Sequence, residues 1–148
     1  MATNASTTNA SYVAALGRLL IALLFLFAGV GKIFAPAATQ GYIASVGLPA
    51  PLIAYLIAVV VEVGGGALLL IGWQTRPVAA VLAIFTLATA LGFHHNFGDQ
   101  NQLVHFLKNV AIIGGLLQVV AFGAGAFSLD GRRGSAASGA VSAHLGTA

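Results

Sequence analysis

Residues 51–72 read PLIAYLIAVVVEVGGGALLLIG. The stretch is apolar from end to end except for one carboxylate, Glu62. As an α-helix it is ~33 Å long, enough to cross a ~30 Å hydrocarbon core. Pro51 suits the first helical position, where a missing N–H costs little. Buried strands are the competing reading, but the length of the run and its Leu/Ala content favour a helix. Strands of a transmembrane barrel would be ~10-residue alternating segments, and none occurs. Glu62 has ~16 Å of helix on either side. A carboxylate at that depth costs several kcal/mol unless it is paired or protonated. The same stretch therefore poses both the fold and the question of what meets its charge.

Three more apolar segments flank it. The first runs from Tyr12 to about Phe34, interrupted by Arg18 and by Lys32 at its end. The third begins at Pro77 and carries no charge; to span a bilayer it has to continue through the histidines to about residue 95. The fourth runs from Gln102 to about Phe122 and carries His105, Lys108 and Asn109. The expected spans are 12–34, 51–72, 77–95 and 102–122. The connections are unequal: Trp73 to Arg76 makes a tight hairpin and His94 to Asn101 a short polar turn. The longest connection, Ala35 to Ala50, is expected to hold a short helix from Pro36 to Val46, stopped by Gly47. With Tyr42, Ile43 and Val46 on one face, it would lie in the outer interface or fold over the bundle mouth. The fold class is then all-α, an antiparallel four-helix transmembrane bundle with short loops over 12–127. The small, polar residues 1–11 and 128–148 are expected to be disordered tails.

Composition agrees. The chain has 148 residues, 59% of them hydrophobic and 6% charged, against about 25% charged in a typical soluble domain. A soluble single-domain enzyme is excluded; the bilayer takes the surface. Six scattered Lys+Arg against three Asp+Glu form no basic patch, so nucleic acid is not a partner. Without cysteine there is no disulfide, thiolate metal site, iron–sulfur cluster or dithiol relay. No phosphate loop, dinucleotide fingerprint or nucleophile elbow occurs. GVGK at Gly29–Lys32 lacks the rest of a phosphate loop. The N-terminus lacks the basic region of a secretory signal, so the first segment is expected to be a retained anchor. Arg18, Arg76, Arg132 and Arg133 fall on the side of the termini and Lys32 and Lys108 on the other, which predicts that both termini are cytoplasmic.

Polar residues within the spans are the candidate site. His105, Lys108 and Asn109 stand at i, i+3 and i+4 and share one helix face, expected to point into the bundle. Lys108 would lie ~9 Å deep and Glu62 ~16 Å, a difference their side chains can bridge. Lys108 is therefore the expected partner of Glu62, with Arg18 as its competitor. A structural ion pair fixing helix register and a proton-handling or ligand-binding carboxylate are equal readings of Glu62. His94, His95, Asn96 and Asp99 lie in the outer turn. With His105 they have the pattern H-H-x3-D-x5-H, which matches no metal site, so no metal is assigned. A bis-histidine haem lacks a second signal. Proton exchange or hydrogen bonding to a polar ligand competes with structural capping. Small residues at Ala28, Gly29 and Gly31, at Gly64–Gly66, at Ala79, Ala80 and Ala83, and at Gly114 and Gly115 are expected to let helices approach closely. The three glycines after Glu62 also loosen that helix.

Four stretches, RLLIALLFLFAGVGKIF (18–34), YIASVGLP (42–49), LLLIGWQTRPVA (68–79) and HHNFGDQNQLVHFLKNVAIIGGLL (94–117), resemble the DoxX family of small bacterial integral membrane proteins. Gly98 stands where many members carry an aromatic. The family takes its name from membrane subunits of a thiosulfate:quinone oxidoreductase, and other members are linked to oxidative-stress defence and quinone detoxification. The resemblance implies an inner-membrane protein acting as partner or subunit in quinone-linked oxidoreduction, with quinone as ligand and a soluble or membrane oxidoreductase as partner. The ligand-binding candidates are Glu62, His94, His95, Asn96, Asp99, His105, Lys108 and Asn109; of these, Glu62, His94, His95, His105 and Lys108 are the catalytic candidates. The alternatives are a small permease or proton-coupled carrier, and a membrane scaffold for a soluble enzyme. The sequence leaves homo-oligomerisation open.

Overall fold

The computed structural model describes residues 2–133, with side chains from residue 9 onward. Residues 134–148 of the expected C-terminal tail lie outside the described residues. The described chain is helical, without strands: α1 (Ala2–Phe34), α2 (Pro36–Ser45), α3 (Pro51–Ile71), α4 (Thr75–Phe93) and α5 (Gln100–Phe122). Asn9–Phe34 of α1 and the whole of α3, α4 and α5 are long and apolar enough to cross a membrane. The four expected spans are thus present, with α2 between the first two.

The boundaries follow from local chemistry. Pro36 disfavours helical geometry at Ala35, so α1 stops at Phe34 and α2 starts afresh with Pro36 in its first turn. Gly47, at φ +79°, ends that connection's helix as expected. Two boundaries differ from the sequence reading. α4 gains its length at its start, from Thr75, and ends at Phe93 rather than running through the histidines. α1 extends outward to Ala2 instead of beginning after a disordered tail. Residues 2–11 contain neither Gly nor Pro, and adding residues to an existing helix is far easier than nucleating one.

α3 is not uniform: residues Val60–Gly64 form a π-helical turn, with Glu62 at its centre. One extra residue in the turn offsets the faces of the two flanking α-helical halves by about 100°.

Packing is uneven along the bundle. α1 packs on α3, α3 on α4 and α4 on α5, whereas α1 and α5 touch little. The core comprises Ala22 and Phe25 of α1, Leu69 of α3, Ala79, Leu82 and Ala83 of α4, and Leu116 of α5. These residues occupy the half of the bundle nearer the chain termini. Most other large apolar side chains point outward; Phe27 and Phe34 are more than four-fifths exposed. Such a surface is unsuited to water and suited to acyl chains.

The terminal end is locked by polar contacts the sequence reading did not foresee. Gly72 takes φ +70°, and the Trp73 N–H returns to the Leu68 carbonyl at 3.1 Å, a Schellman end to α3. A side chain at 72 would also collide with Ser128. Arg18 is 5% exposed. Its guanidinium donates to the carbonyls of Ala124 and Phe127, so it holds the segment after α5 rather than Glu62. Residues 128–133, expected to be disordered, are therefore folded against the bundle. The reason is Asp130. Gln74, at the N-terminus of α4, provides no side-chain cap. Asp130 caps the helix from across the chain, accepting from Gln74 N at 3.0 Å, Thr75 N at 2.8 Å and Thr75 Oγ1 at 2.7 Å. Partial burial pushes the Asp130 pKa up, but the bonds from Thr75 and Gln74, with Arg133 nearby, hold it below the usual carboxylate range.

Asp130→Ala is expected to lower stability by about 0.5–2 kcal/mol, the range for losing a helix N-cap. Because the folded pKa is depressed, this contribution is complete above the unfolded value and is lost as pH falls through the folded one. In thermal melts in detergent, the gap between wild type and variant should be constant near neutrality and shrink below about pH 4. A gap that does not change on acidification would mean the carboxylate is not the cap.

Candidate functional site

At the end opposite the termini the helices splay, and the candidate site lies between them. α1 and α3 approach closely at Gly29. A Cβ there would sit 2.7 Å from Val63 Cγ2, 3.0 Å from Glu62 Cβ and 3.1 Å from the Val63 backbone nitrogen. Only glycine permits this contact, and it sets Gly29 level with Glu62. Lys32 is one turn further along α1. Its Nζ donates to Glu62 Oε2 at 2.7 Å and Oε1 at 2.9 Å, with a longer bond of 3.5 Å to the Ala28 carbonyl. Both carboxylate oxygens are thus met by one ammonium. The Glu62 side chain is 8% exposed and that of Lys32 is 28%, so Lys32 is the partner that a bound molecule meets first.

This geometry corrects the expected pairing. Glu62 meets neither Lys108 nor Arg18. The expectation counted Lys32 with the side opposite the termini and weighed only Lys108 and Arg18 as partners. Glu62 is eleven residues, ~16 Å, past Pro51, whereas Phe34 is five residues, ~7.5 Å, past Gly29; α1 therefore stops ~9 Å short of the start of α3. Lys32 is inside the bundle because its helix is short at this end.

The space left above the truncated α1 is a cavity of about 480 Å³. Lys32 and Glu62 lie at its floor; Ile57 of α3 and Phe85, Thr89 and Phe93 of α4 form walls, and Thr39 and Tyr42 of α2 contribute the roof. α2 is fastened over the mouth by burial of Ile43 and by stacking of Tyr42 on Phe93, with ring centroids 5.3 Å apart. The expectation of a short helix folding over the bundle mouth, with Tyr42 and Ile43 facing it, describes this roof.

The remaining candidates form a separate group. His94 Nδ1 lies 2.9 Å from Gln102 Oε1, and the rings of His94 and His105 stack with centroids 4.9 Å apart. Asp99 caps α5, accepting from Asn101 N at 2.8 Å and Gln102 N at 3.3 Å. His95 and Asn96 are exposed, Asn109 is half-buried, and Lys108 is exposed on α5 rather than turned towards Glu62. None of these seven residues lines the cavity. The structure thus brings Glu62 together with Lys32, Thr39, Tyr42 and Thr89, and leaves His94, at the end of α4, and His105, on α5, as a stacked pair at the end opposite the termini.

The sequence profile of the DoxX family matches residues 13–95, which hold the first three spans, α2 and the cavity residues. The chain is 42% identical over 113 residues to the inner membrane protein YqjF of Escherichia coli (strain K12), covering 76% of this chain and 85% of that protein. It is 38% identical over 122 residues to the inner membrane protein YphA of the same organism, covering 79% and 87%. No solved structure matches the chain. The chain belongs to the DoxX family.

Glu62→Gln or Lys32→Met alone strands one charge in an apolar surround, which costs about 3–5 kcal/mol in soluble proteins and less where bilayer or water can adapt. Each should lower the melting temperature in lipid nanodiscs. The double variant should recover much of the loss, because neither charge is then unpaired. Lys108→Met should combine additively with Glu62→Gln. Additivity in the Lys32 cycle, or coupling in the Lys108 cycle, would reverse the assignment of partners.

Proposed function

We propose that this DoxX-family protein is an integral inner-membrane protein that binds a quinone-like ligand in the cavity above Lys32 and Glu62, as the membrane partner of an oxidoreductase. The observation that carries this reading is a salt-bridged acid–base pair at the floor of a mostly apolar, aromatic-walled cavity inside the bilayer. Ionisable groups at that depth are costly and mark ligand or proton paths more often than packing. The relatives' location in the inner membrane supports the placement.

The chemistry follows from what each group presents. Phe85, Phe93 and Tyr42 offer faces and edges to a flat ring. The Lys32 ammonium, the more open of the pair, donates to a ring carbonyl; Glu62 accepts from a ring hydroxyl. The cavity volume falls within the range of small-molecule sites, about 300–1,000 Å³. Reducing a quinone requires two electrons and two protons. With no cysteine in the chain, no thiol of its own supplies the electrons, and the partner oxidoreductase does so. Lys32 and Glu62 hold and pass the protons. The stacked His94 and His105, at the same end of the bundle, exchange protons with the aqueous side.

In nanodiscs, a short-chain benzoquinone should bind the wild type with measurable heat by titration calorimetry. The double variant Lys32→Met/Glu62→Gln, which keeps the fold without the charges, should bind it at least about tenfold more weakly, the worth of one charged hydrogen bond. Equal binding by both would remove the pair from the site. Flux of a polar solute into proteoliposomes, with no redox partner and no quinone binding, would favour the carrier reading.

We also infer that both termini are cytoplasmic. Arg18, Arg76, Arg132 and Arg133 lie at the terminal end, while Lys32 is enclosed in the bundle beside Glu62 rather than in a connection. That leaves Lys108 at the other end, and the excess of Lys/Arg at the terminal end sets orientation. Tags at either terminus should resist protease added to intact spheroplasts and be cut after lysis; cleavage in intact spheroplasts would invert the topology.

A further inference from the structure

The roof of the Lys32–Glu62 cavity is attached unequally. α2 packs on α3 and touches α1 little. What joins it to α4 is a ring contact, Tyr42 on Phe93, with centroids 5.3 Å apart. Its connection back to α3 passes through Gly47 at φ +79° and Ala50 at φ +52°. α2 is thus hinged on the α3 side and latched on the α4 side. Tyr42 and Phe93 both line the cavity, so parting them opens it at the end opposite the termini.

Phe93 is the last residue of α4, and His94 follows it. These neighbours reach different elements. Phe93 holds the roof. His94 holds α5: its ring stacks on that of His105 at 4.9 Å, and its Nδ1 donates to Gln102 Oε1 at 2.9 Å. The His94 N–H closes α4 on the Ala90 carbonyl at 3.0 Å. The same last turn contains Gly92, where a Cβ would meet nothing within 4 Å. Packing does not require glycine there, and glycine makes the turn easier to deform. Beyond His94 the chain is anchored again. The Phe97 and Phe106 rings meet edge to face at 4.9 Å, and Asp99 caps α5. A displacement of His94 is therefore taken up at Gly92–His94, where the latch is, rather than in the turn beyond.

Charge decides whether the stack holds. Two neutral imidazoles lie face to face, and so do one neutral and one charged ring. Two imidazolium rings in contact repel unless an anion stands with them. No carboxylate does so here. The groups whose charge bears on His105 are Lys108, one turn along α5, and His94, and neither is an acid. Asp99, at the start of α5, is engaged by the Asn101 and Gln102 N–H groups. α2 has no charged residue, and α4 has none after Arg76. Glu62 of α3 is closed on Lys32 of α1 at the cavity floor. His95 is the exposed imidazole of the same turn. His94 and His105 are half-buried, so water reaches both.

We propose that His94 and His105 form a proton-operated clasp on the cavity roof. While at least one ring is neutral, the stack holds the end of α4 in place and Phe93 latches Tyr42. When both rings take a proton, the stack parts, the last turn of α4 loosens at Gly92, and α2 swings off the mouth. Acid on the side opposite the termini then opens the cavity to ligand. This deepens the reading of that cavity as a ligand site, but its test uses no ligand, so either can fail without the other.

The chain has no native cysteine, so two introduced ones report alone. Ala44→Cys on α2 and Val81→Cys on α4 replace exposed residues and carry spin labels on the full-length protein. In phosphatidylcholine nanodiscs, double electron–electron resonance is recorded at about pH 8 and about pH 5, either side of the ordinary imidazole value of ~6.5. The distance between the labels should gain a longer component in acid and recover on return to the higher pH. His105→Phe keeps a ring for His94 to stack on and cannot take a proton, so it should stay closed at both. His94→Phe, the reciprocal replacement, should behave alike, and His95→Asn should keep the full response. An unchanged distance at the lower pH would overturn the proposal. So would a response that persists in both phenylalanine variants, which would move the switch to the Lys32–Glu62 pair. Loss of helical circular dichroism at the lower pH would also overturn it, because the change would then be unfolding rather than a clasp.

Discussion

A carboxylate inside hydrocarbon has to be answered by a cation, and much of this structure is the consequence of answering Glu62 with Lys32. Two charges in contact attract far more strongly in a low dielectric than in water, but taking each from water is expensive. The pair is therefore favourable only if the geometry is close and held. Gly29 provides closeness, by letting the backbone of α1 lie against Val63. The π-turn at Val60–Gly64 provides aim, by turning Glu62 to the α1 side without turning the rest of α3 with it. Neither device stabilises anything by itself: a missing Cβ gives up packing, and a π-turn gives up regular hydrogen bonding. Both are tolerated because the alternative is an unpaired charge.

The cavity is a by-product of the same constraint. Placing Gly29 level with Glu62 ends α1 deep in the bundle, and Pro36 prevents it from continuing. The volume above has to be closed by something that starts at that depth and climbs. α2 does so with Ile43 buried and Tyr42 on Phe93, which leaves a space too large for side chains to fill. The terminal half is built the opposite way. There Leu69, Leu82 and Leu116 pack fully buried, Arg18 ties the returning chain to α1, and Asp130 ties it to the α3–α4 hairpin. One half is rigid and the other hollow, which suits a site that admits a ligand while its floor stays in place.

The elements were legible in the sequence because their signals are local. Apolar runs of bilayer length mark α1, α3, α4 and α5; Pro36 and Gly47 bracket α2; the short Trp73–Arg76 connection implies the hairpin. Glu62 was legible because a lone acid in such a run needs a partner or a proton, whether its role is structural or functional. Its partner was not. Periodicity tells which face of a helix a residue occupies, not how far the helix is shifted along its axis. Lys108 and Arg18 could be ranked only from depths counted along each helix, and the same counting kept Lys32 out of the comparison. The informative signal was Gly29, three residues before Lys32. Read as a packing residue, it was in fact the point that fixes the axial offset. Asp130 escaped for a related reason. Its segment is rich in small residues and resembles a tail, and a helix cap supplied from fifty-five residues away leaves no pattern at the helix it caps.

The scarcity of acids makes these assignments mutually dependent. The chain has three Asp+Glu residues, and the structure uses each once: Glu62 neutralises Lys32, Asp99 caps α5 and Asp130 caps α4. No carboxylate is left for Arg18, which turns to backbone carbonyls instead. None is left for Lys108 either. Its side chain leans towards the start of α5, so its stem can lie along apolar surface while the ammonium reaches the interface, which removes the need for a buried partner. The basic residues therefore divide by depth. Lys32, enclosed by the bundle, takes the one carboxylate available inside; those near the surfaces are left to carbonyls, water and lipid. The net charge of +3 thus resides at the two membrane faces rather than in the site, and the cavity floor is neutral as a pair although it is made of two full charges.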